Sequence, residues 1–266
     1  MRVRRLLWLV LAFALVAAAC GDDDGGGLTQ KDGVLTVGSD IPFPPFEDYD
    51  GDQVVGFDAD LINEIAERLD LTAEWVATPF DTIFTQLATG TFDVVASAAT
   101  ITPERALQVN FTVPYYRSQQ ALTVNTADRP DITGIDALGD GDRVAVQSGT
   151  TGAAWATDNL APLGVEVVEY PTAPDTYTAL EGAQVDGVIF DEPSAVEESA
   201  NRANLAVVAV IDTDEDYGFG VDPAREELLS EMNRVLQEMF DDGTYQAIYD
   251  TWFEAPAGSV LYEDMG

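Results

Sequence analysis

The sequence predicts an α/β protein made of two similar lobes. Three observations carry that reading. From Val34 onward, short β-rich runs alternate with stretches of helical periodicity, and after Asn125 the cycle starts again. The second half also echoes the first. Leu87 lies six residues before Asp93, which opens Asp93-Val94-Val95-Ala96-Ser97, and Leu180 lies six residues before Asp186, which opens Asp186-Gly187-Val188-Ile189-Phe190-Asp191. Strands alternating with helices imply largely parallel sheets. Open α/β sheets bind ligands at the carboxyl ends of their strands, so two such lobes suggest a cleft between them.

The elements follow in chain order. Arg2, Arg4 and Arg5 precede an apolar run from Leu6 to Ala19, too short to span a bilayer, which takes about 20 residues. A basic start, a short apolar stretch and small residues before a cut site describe a secretory signal over 1–19. Ala17-Ala18-Ala19-Cys20 resembles a lipobox, which makes Cys20 a lipidation site and the Gly/Asp-rich run up to residue 33 a flexible tether. The expected location is the outer face of the cell membrane.

Leu35-Thr36-Val37-Gly38 reads as a strand. Phe57, Leu61, Ile62, Ile65, Ala66 and Leu69 recur at helical steps, as do Phe80, Ile83, Phe84 and Leu87 before Gly90. Thr102-Pro103-Glu104-Arg105 carries an N-cap residue, a proline at the first helical position and an acid in the first turn. In the second half, Arg143 to Val146 is a strand, Thr150 to Leu160 a helix, Val165 to Tyr170 a strand, Pro174 to Gln184 a helix and Asp186 to Phe190 a strand. The tail is helical: Asp222-Pro223 opens a helix that Gly243 ends, and an aromatic-rich helix runs to Phe253.

Composition narrows the chemistry. Twelve Lys+Arg against 48 Asp+Glu give a formal net charge of −36, which argues against nucleic-acid binding, since phosphate neutralisation needs clustered cations. With no His and a single Cys, His-based triads, His-ligated metals, disulfides and thiolate cages are excluded. The acid excess reads as a solvated surface suited to high salt, where self-repulsion is screened.

Four segments now resemble the periplasmic amino-acid-binding proteins, the substrate-binding components of polar amino-acid ABC importers. They are Gly56-Phe57-Asp58-Ala59-Asp60-Leu61, then Ser97 through Arg105 with Phe111-Thr112-Val113-Pro114-Tyr115-Tyr116, then Ser148-Gly149-Thr150-Thr151, and last Phe190-Asp191-Glu192. Ala59 is smaller than the aliphatic residue usual in that signature, and Ala98 stands where serine is frequent. The resemblance runs from about Leu35 to Phe253. It implies a two-lobed periplasmic-binding-protein fold, type II-like, each lobe a mostly parallel sheet flanked by helices. One lobe would comprise 34–123 plus 220–266 and the other 124–219, with hinges near 123–125 and 218–221.

The resemblance also implies a substrate site. An α-amino acid offers a carboxylate, an ammonium and a side chain. Arg105 would hold the carboxylate bidentately, helped by Thr100, Ser97 and the backbone N–H groups around Thr150 and Thr151. Asp191 would pair with the ammonium, with the Thr100 hydroxyl and the Ala98 carbonyl beside it. Phe43 and Phe80 would wall the side chain, and Asp40 and Gln147 would meet its end. Neither Asp40 nor Gln147 offers a positive charge, so an acidic side chain would bury an unpaired anion. Glutamine is favoured, with basic amino acids next.

The implied partners are a free amino acid, an ABC-transporter permease and, through Cys20, the membrane. A monomer without cofactor, metal or catalytic residue is expected. Two alternatives stay open: a sensing module for a membrane receptor, and an enzyme of the cyclohexadienyl dehydratase kind, in which Asp191 or Glu192 would do acid–base work.

Overall fold

The computed structural model describes residues 27–253; the expected signal segment, Cys20, the first part of the tether and residues 254–266 lie outside the described residues. The first strand, β1 (Val34–Ser39), leads through a loop to a hairpin of β2 (Asp48–Asp50) and β3 (Gln53–Val55). Gly56 then starts α1 (Phe57–Arg68) at φ 134°. A Cβ there would lie 2.1 Å from the Phe46 carbonyl oxygen, so only glycine fits. Phe57 closes over that turn and is fully buried against Phe46, Tyr115, Tyr116, Tyr245, Tyr249 and Phe253.

β4 (Thr72–Ala77) runs parallel to β1 from Val34↔Thr72 to Ser39↔Ala77. Helix α2 (Phe80–Ala88) buries Phe80, Ile83, Phe84 and Leu87 in a cluster with Phe92 and Val95. β5 (Val94–Val95) is shorter than the pattern predicts, because the chain turns away at Ala96 to shape the loop before α3 (Pro103–Ala106). The expected cap is present: the Thr102 side chain accepts a hydrogen bond from the Arg105 N–H, and Pro103 sits in the first turn. β6 (Asn110–Phe111) is the edge of this first sheet.

A ten-residue strand, β7 (Tyr116–Asn125), belongs wholly to the second sheet. β8 (Arg143–Gln147), α4 (Thr151–Asn159), β9 (Glu166–Tyr170), α5 (Ala173–Glu181), β10 (Gly187–Asp191) and α6 (Glu192–Asn201) follow the predicted alternation. β11 (Leu205–Tyr217) returns antiparallel to β7, and β12 (Gly220–Val221) rejoins the first sheet. Helices α7 (Glu226–Asp242) and α8 (Thr244–Trp252) finish the described chain, joined by Gly243 at φ 84°. Helix α7 starts later than Asp222-Pro223 suggests. Ala224 and Arg225 donate their N–H groups back to Asp222, which makes that dipeptide a turn.

The two sheets have the orders β4-β1-β5-β12-β6 and β11-β7-β10-β8-β9. Each is mixed: four strands run one way and one runs against them, β12 in the first sheet and β7 in the second. Those two strands adjoin the crossings, where the chain must run back and forth between lobes. The structure also corrects the first crossing. Thr123 pairs with Val188 and Val207 deep in the second sheet, so the chain changes lobe between Phe111 and Tyr116, ahead of 123–125. The return crossing passes through Gly218 and Phe219. The two crossings lie side by side, held by the pairs Tyr116↔Tyr217 and Thr100↔Tyr217.

Candidate functional site

A cleft of about 440 Å³, its mouth to solvent included, lies between the lobes. It is lined by all the residues that the sequence reading nominated: Asp40, Phe43, Phe80, Ser97, Ala98, Thr100 and Arg105 from the first lobe, Gln147, Thr150, Thr151 and Asp191 from the second. Pro42, Gln120, Ala173 and Phe190 join them.

Arg105 projects from α3 and is only 8% exposed. Its Nη1 donates to the Thr100 carbonyl at 2.7 Å and its Nη2 to the Gly149 carbonyl of the other lobe at 3.2 Å. The guanidinium lies over the rings of Phe80 and Phe84, 5.1 and 4.8 Å from their centroids. Burial lowers its pKa from the ordinary value, partly offset by the charges of Asp191 and Glu215; an arginine stays cationic nonetheless. Among the described residues it forms no salt bridge with a carboxylate, so a buried positive charge faces the cleft with carbonyl partners alone.

On the second lobe, Asp191 stands at the carboxyl end of β10 and at the N-cap position of α6, yet its side chain makes no capping bond. It accepts instead from Gln120 Nε2 of β7. Burial raises its pKa to about 7, Glu215 adds to the rise, and Gln120 and Arg105 work against it. A carboxylate so placed gains from an incoming cation.

The remaining side chains tie the lobes together. Gln147 Nε2 donates to Asp40 Oδ2 across the cleft at 2.5 Å and to the Pro171 carbonyl at 3.2 Å. Burial raises the pKa of Asp40. Phe43 faces Phe190 with centroids 5.3 Å apart, while Phe80 turns to Arg105. The Thr150 hydroxyl accepts from Ala153 N–H, capping α4, and donates to the Gln147 carbonyl.

Behind the first-lobe wall, Ser97 Oγ accepts from the Asp40 N–H and donates to Glu47 Oε1. Asp58, of the Gly56-Phe57-Asp58 motif, accepts from the Ala98 N–H at 2.9 Å and from the Tyr115 hydroxyl at 2.8 Å. That bond helps hold Ala98 at φ 44°, a left-handed conformation that is unusual outside glycine. Glu47 and Asp58 are fully buried; burial carries Asp58 to about 7 and Glu47 well above its ordinary value, Asp58 adding to the latter. The motif therefore shapes the floor of the cleft.

Comparison with known proteins settles the family. The model of the bacterial extracellular solute-binding proteins, family 3, matches residues 35–255. The chain belongs to that family. The putative ABC transporter arginine-binding protein 2 of Escherichia coli is 33% identical over 226 residues, 83% of this chain and 90% of the relative. The histidine-binding periplasmic protein of Salmonella typhimurium is 30% identical over 257 residues, 93% and 95% of the two chains. Among solved structures, the ancestral amino acid-binding protein AncCDT-1, a precursor of cyclohexadienyl dehydratase, superposes with a TM-score of 0.78. It is 33% identical, covering 84% of this chain and 97% of its own. As a family 3 solute-binding protein the chain has the two-lobed periplasmic-binding-protein fold, and among the described residues no helix is long and apolar enough to cross a membrane.

Proposed function

We propose that this family 3 protein captures a free polar α-amino acid outside the cytoplasm, closes its lobes over it and delivers it to an ABC importer. One observation carries the reading: a buried guanidinium without a carboxylate partner, Arg105, and a partly buried carboxyl group, Asp191, line one cleft from opposite lobes. A zwitterion satisfies both at once. Only the closed form brings both lobes to the ligand, so binding selects closure. Tethering by a lipid on Cys20 and action as a monomer complete the proposal.

The side chain would lie against Asp40, Gln147, Phe43 and Phe190. The sequence reading favours glutamine, and the Asp40–Gln147 pair suits an amide. The charge balance favours a basic side chain instead: the zwitterion uses Arg105 and Asp191, which leaves Asp40 unpaired by any cation in the cleft. We rank basic amino acids first and glutamine second.

A thermal-shift screen of the twenty amino acids tests this. The right one at a hundredfold excess over Kd adds ~2.7 kcal/mol, about 5–10 °C in Tm for a chain of this size. A screen in which nothing moves the transition overturns the reading. The rise of the Asp191 pKa to about 7 is also what a general acid–base needs, and it sustains the dehydratase alternative. Product formed from prephenate or arogenate would decide for it.

A further inference from the structure

Glu215 lies outside the lining of the cleft, yet it is bonded to three residues of that lining, Thr100, Thr151 and Gln120. It sits on β11 where the two crossings run together, opposite Ser118, and is 6% exposed. Its Oε2 accepts from the hydroxyl of Thr100, at 2.7 Å, and from that of Thr151, at 2.6 Å. Its Oε1 accepts from Gln120 Nε2 and from the Thr213 hydroxyl, both at 2.9 Å. An ionised carboxylate accepts and never donates, and a hydroxyl has one proton to give. The protons of Thr100 and Thr151 are therefore both spent on Glu215. What these two residues, one from each lobe, can turn toward the cleft is lone pairs.

We propose that Glu215 is a positioning residue that fixes the Thr100 and Thr151 hydroxyls as acceptors and so, together with Asp191, builds the corner that takes the ligand's α-ammonium. This rests on the amino-acid reading above. It adds a part for the Thr151 hydroxyl to the one the sequence reading gives the backbone N–H groups around Thr150 and Thr151, which face the carboxylate. An ammonium has three N–H donors, and the corner offers three acceptor groups: Asp191, Thr100 and Thr151. Gln120, bonded to both Asp191 and Glu215, holds the two carboxylates in place, and an incoming cation relieves their repulsion. Because Thr100 and Thr151 belong to different lobes, the corner is complete only when the lobes are closed.

Glu215→Gln keeps the shape but puts an N–H₂ against hydroxyls that now give their protons to it, so at least one hydroxyl must turn. The test is calorimetric titration of L-arginine and L-glutamine, each beside its des-amino analogue, 5-guanidinopentanoate or 4-carbamoylbutanoate. The natural chain should prefer the amino acid at least tenfold. In Glu215→Gln that preference should shrink by about tenfold or more, the worth of hydrogen bonds to a charged group, with the analogue's affinity kept within threefold. Thr151→Val keeps Glu215 itself, removes one acceptor of the corner together with one of the four donors to that carboxylate, and should move the same ratio. An unchanged preference, or an equal loss for both ligands, overturns the role of Glu215. If the thermal-shift screen selects another amino acid, the same comparison is made with that one and its des-amino analogue; if it selects none, the amino-acid reading itself fails, and this inference with it.

Discussion

The two lobes start their central strands with the same device and finish them differently. In the first, Asp93 just before β5 accepts from the Thr36 N–H of β1, while its own N–H reaches the Thr36 carbonyl. In the second, Asp186 just before β10 does the same with Arg143 of β8. Each aspartate also has an arginine beside it, Arg225 in one case and Arg129 in the other. At the far end the resemblance stops. β5 runs into a loop that carries Ala98, Thr100 and then Arg105, whereas β10 passes directly into α6 with Asp191 at the junction. The amino ends of the strands are matched for stability, and the carboxyl ends diverge to supply a cation from one lobe and an anion from the other.

The sharpest way to break this division is to remove each charge. Arg105→Ala and Asp191→Ala should each weaken amino-acid binding by about 2–5 kcal/mol, the cost of leaving a buried charge without its partner. That is roughly 30-fold to several thousandfold in Kd by calorimetry. A loss within threefold for either residue would mean that its lobe does not contribute a charge to recognition.

The shared device can be tested at the other end of the strands. Asp93 is fully buried and accepts from Gln30 N, Thr36 N and the Thr36 hydroxyl, whereas Asp186 is partly exposed and holds one backbone N–H and part of Arg129. Leaving buried donors unmatched costs about 1–3 kcal/mol each. Asp93→Ala should therefore lower stability by about 3 kcal/mol or more in urea unfolding, and Asp186→Ala by about 1–2 kcal/mol. Equal losses would show that burial does not separate the two lobes.

The comparison also reaches the pH dependence, where each lobe contributes one carboxyl raised by burial to about 7, Asp58 and Asp191. The unfolded value is about 3.9. Between these values the folded chain binds more protons than the unfolded one, so stability should fall as pH rises from about 4 to 7, by at most ~1.4 kcal/mol per pH unit for each group. The Tm of the ligand-free protein should be higher at pH 5 than at pH 7.5. Saturating glutamine should flatten the slope by the Asp191 share, because an ammonium keeps that carboxylate ionised, and a basic amino acid should add the share of Asp40, which burial also raises. A Tm that rises with pH over this range contradicts both assignments.

Much of this was legible in the sequence, for local reasons. Thr102-Pro103 and Gly243 punctuate helices through their own backbone chemistry, and the helix faces of α1 and α2 follow from spacing alone. What escaped notice depends on partners far along the chain. Glu215 stands in Asp212-Thr213-Asp214-Glu215-Asp216, a run that reads as solvated surface, and only its pairing with β7 buries it. Gln120 carries no sequence signal, and only the pairing of β7 with β10 brings it beside Asp191. Phe190 reads in the sequence as the apolar end of a strand, and it is its contact with Phe43 across the cleft that makes it a wall.

The net charge of −36 belongs to the sequence and speaks for the surface; the charged residues that line the cleft are only Asp40, Arg105 and Asp191 among those described. Which residue types occur, their periodicity and their motif spacing determined the alternating elements, the family resemblance and the nominated site residues. Where the chain changes lobe, how Asp191 is freed from capping α6, and which way two threonine hydroxyls point were decided only by the tertiary structure. The physical reason is that burial and hydrogen-bond direction are properties of neighbours, and here the neighbours are 44 to 115 residues apart in the chain.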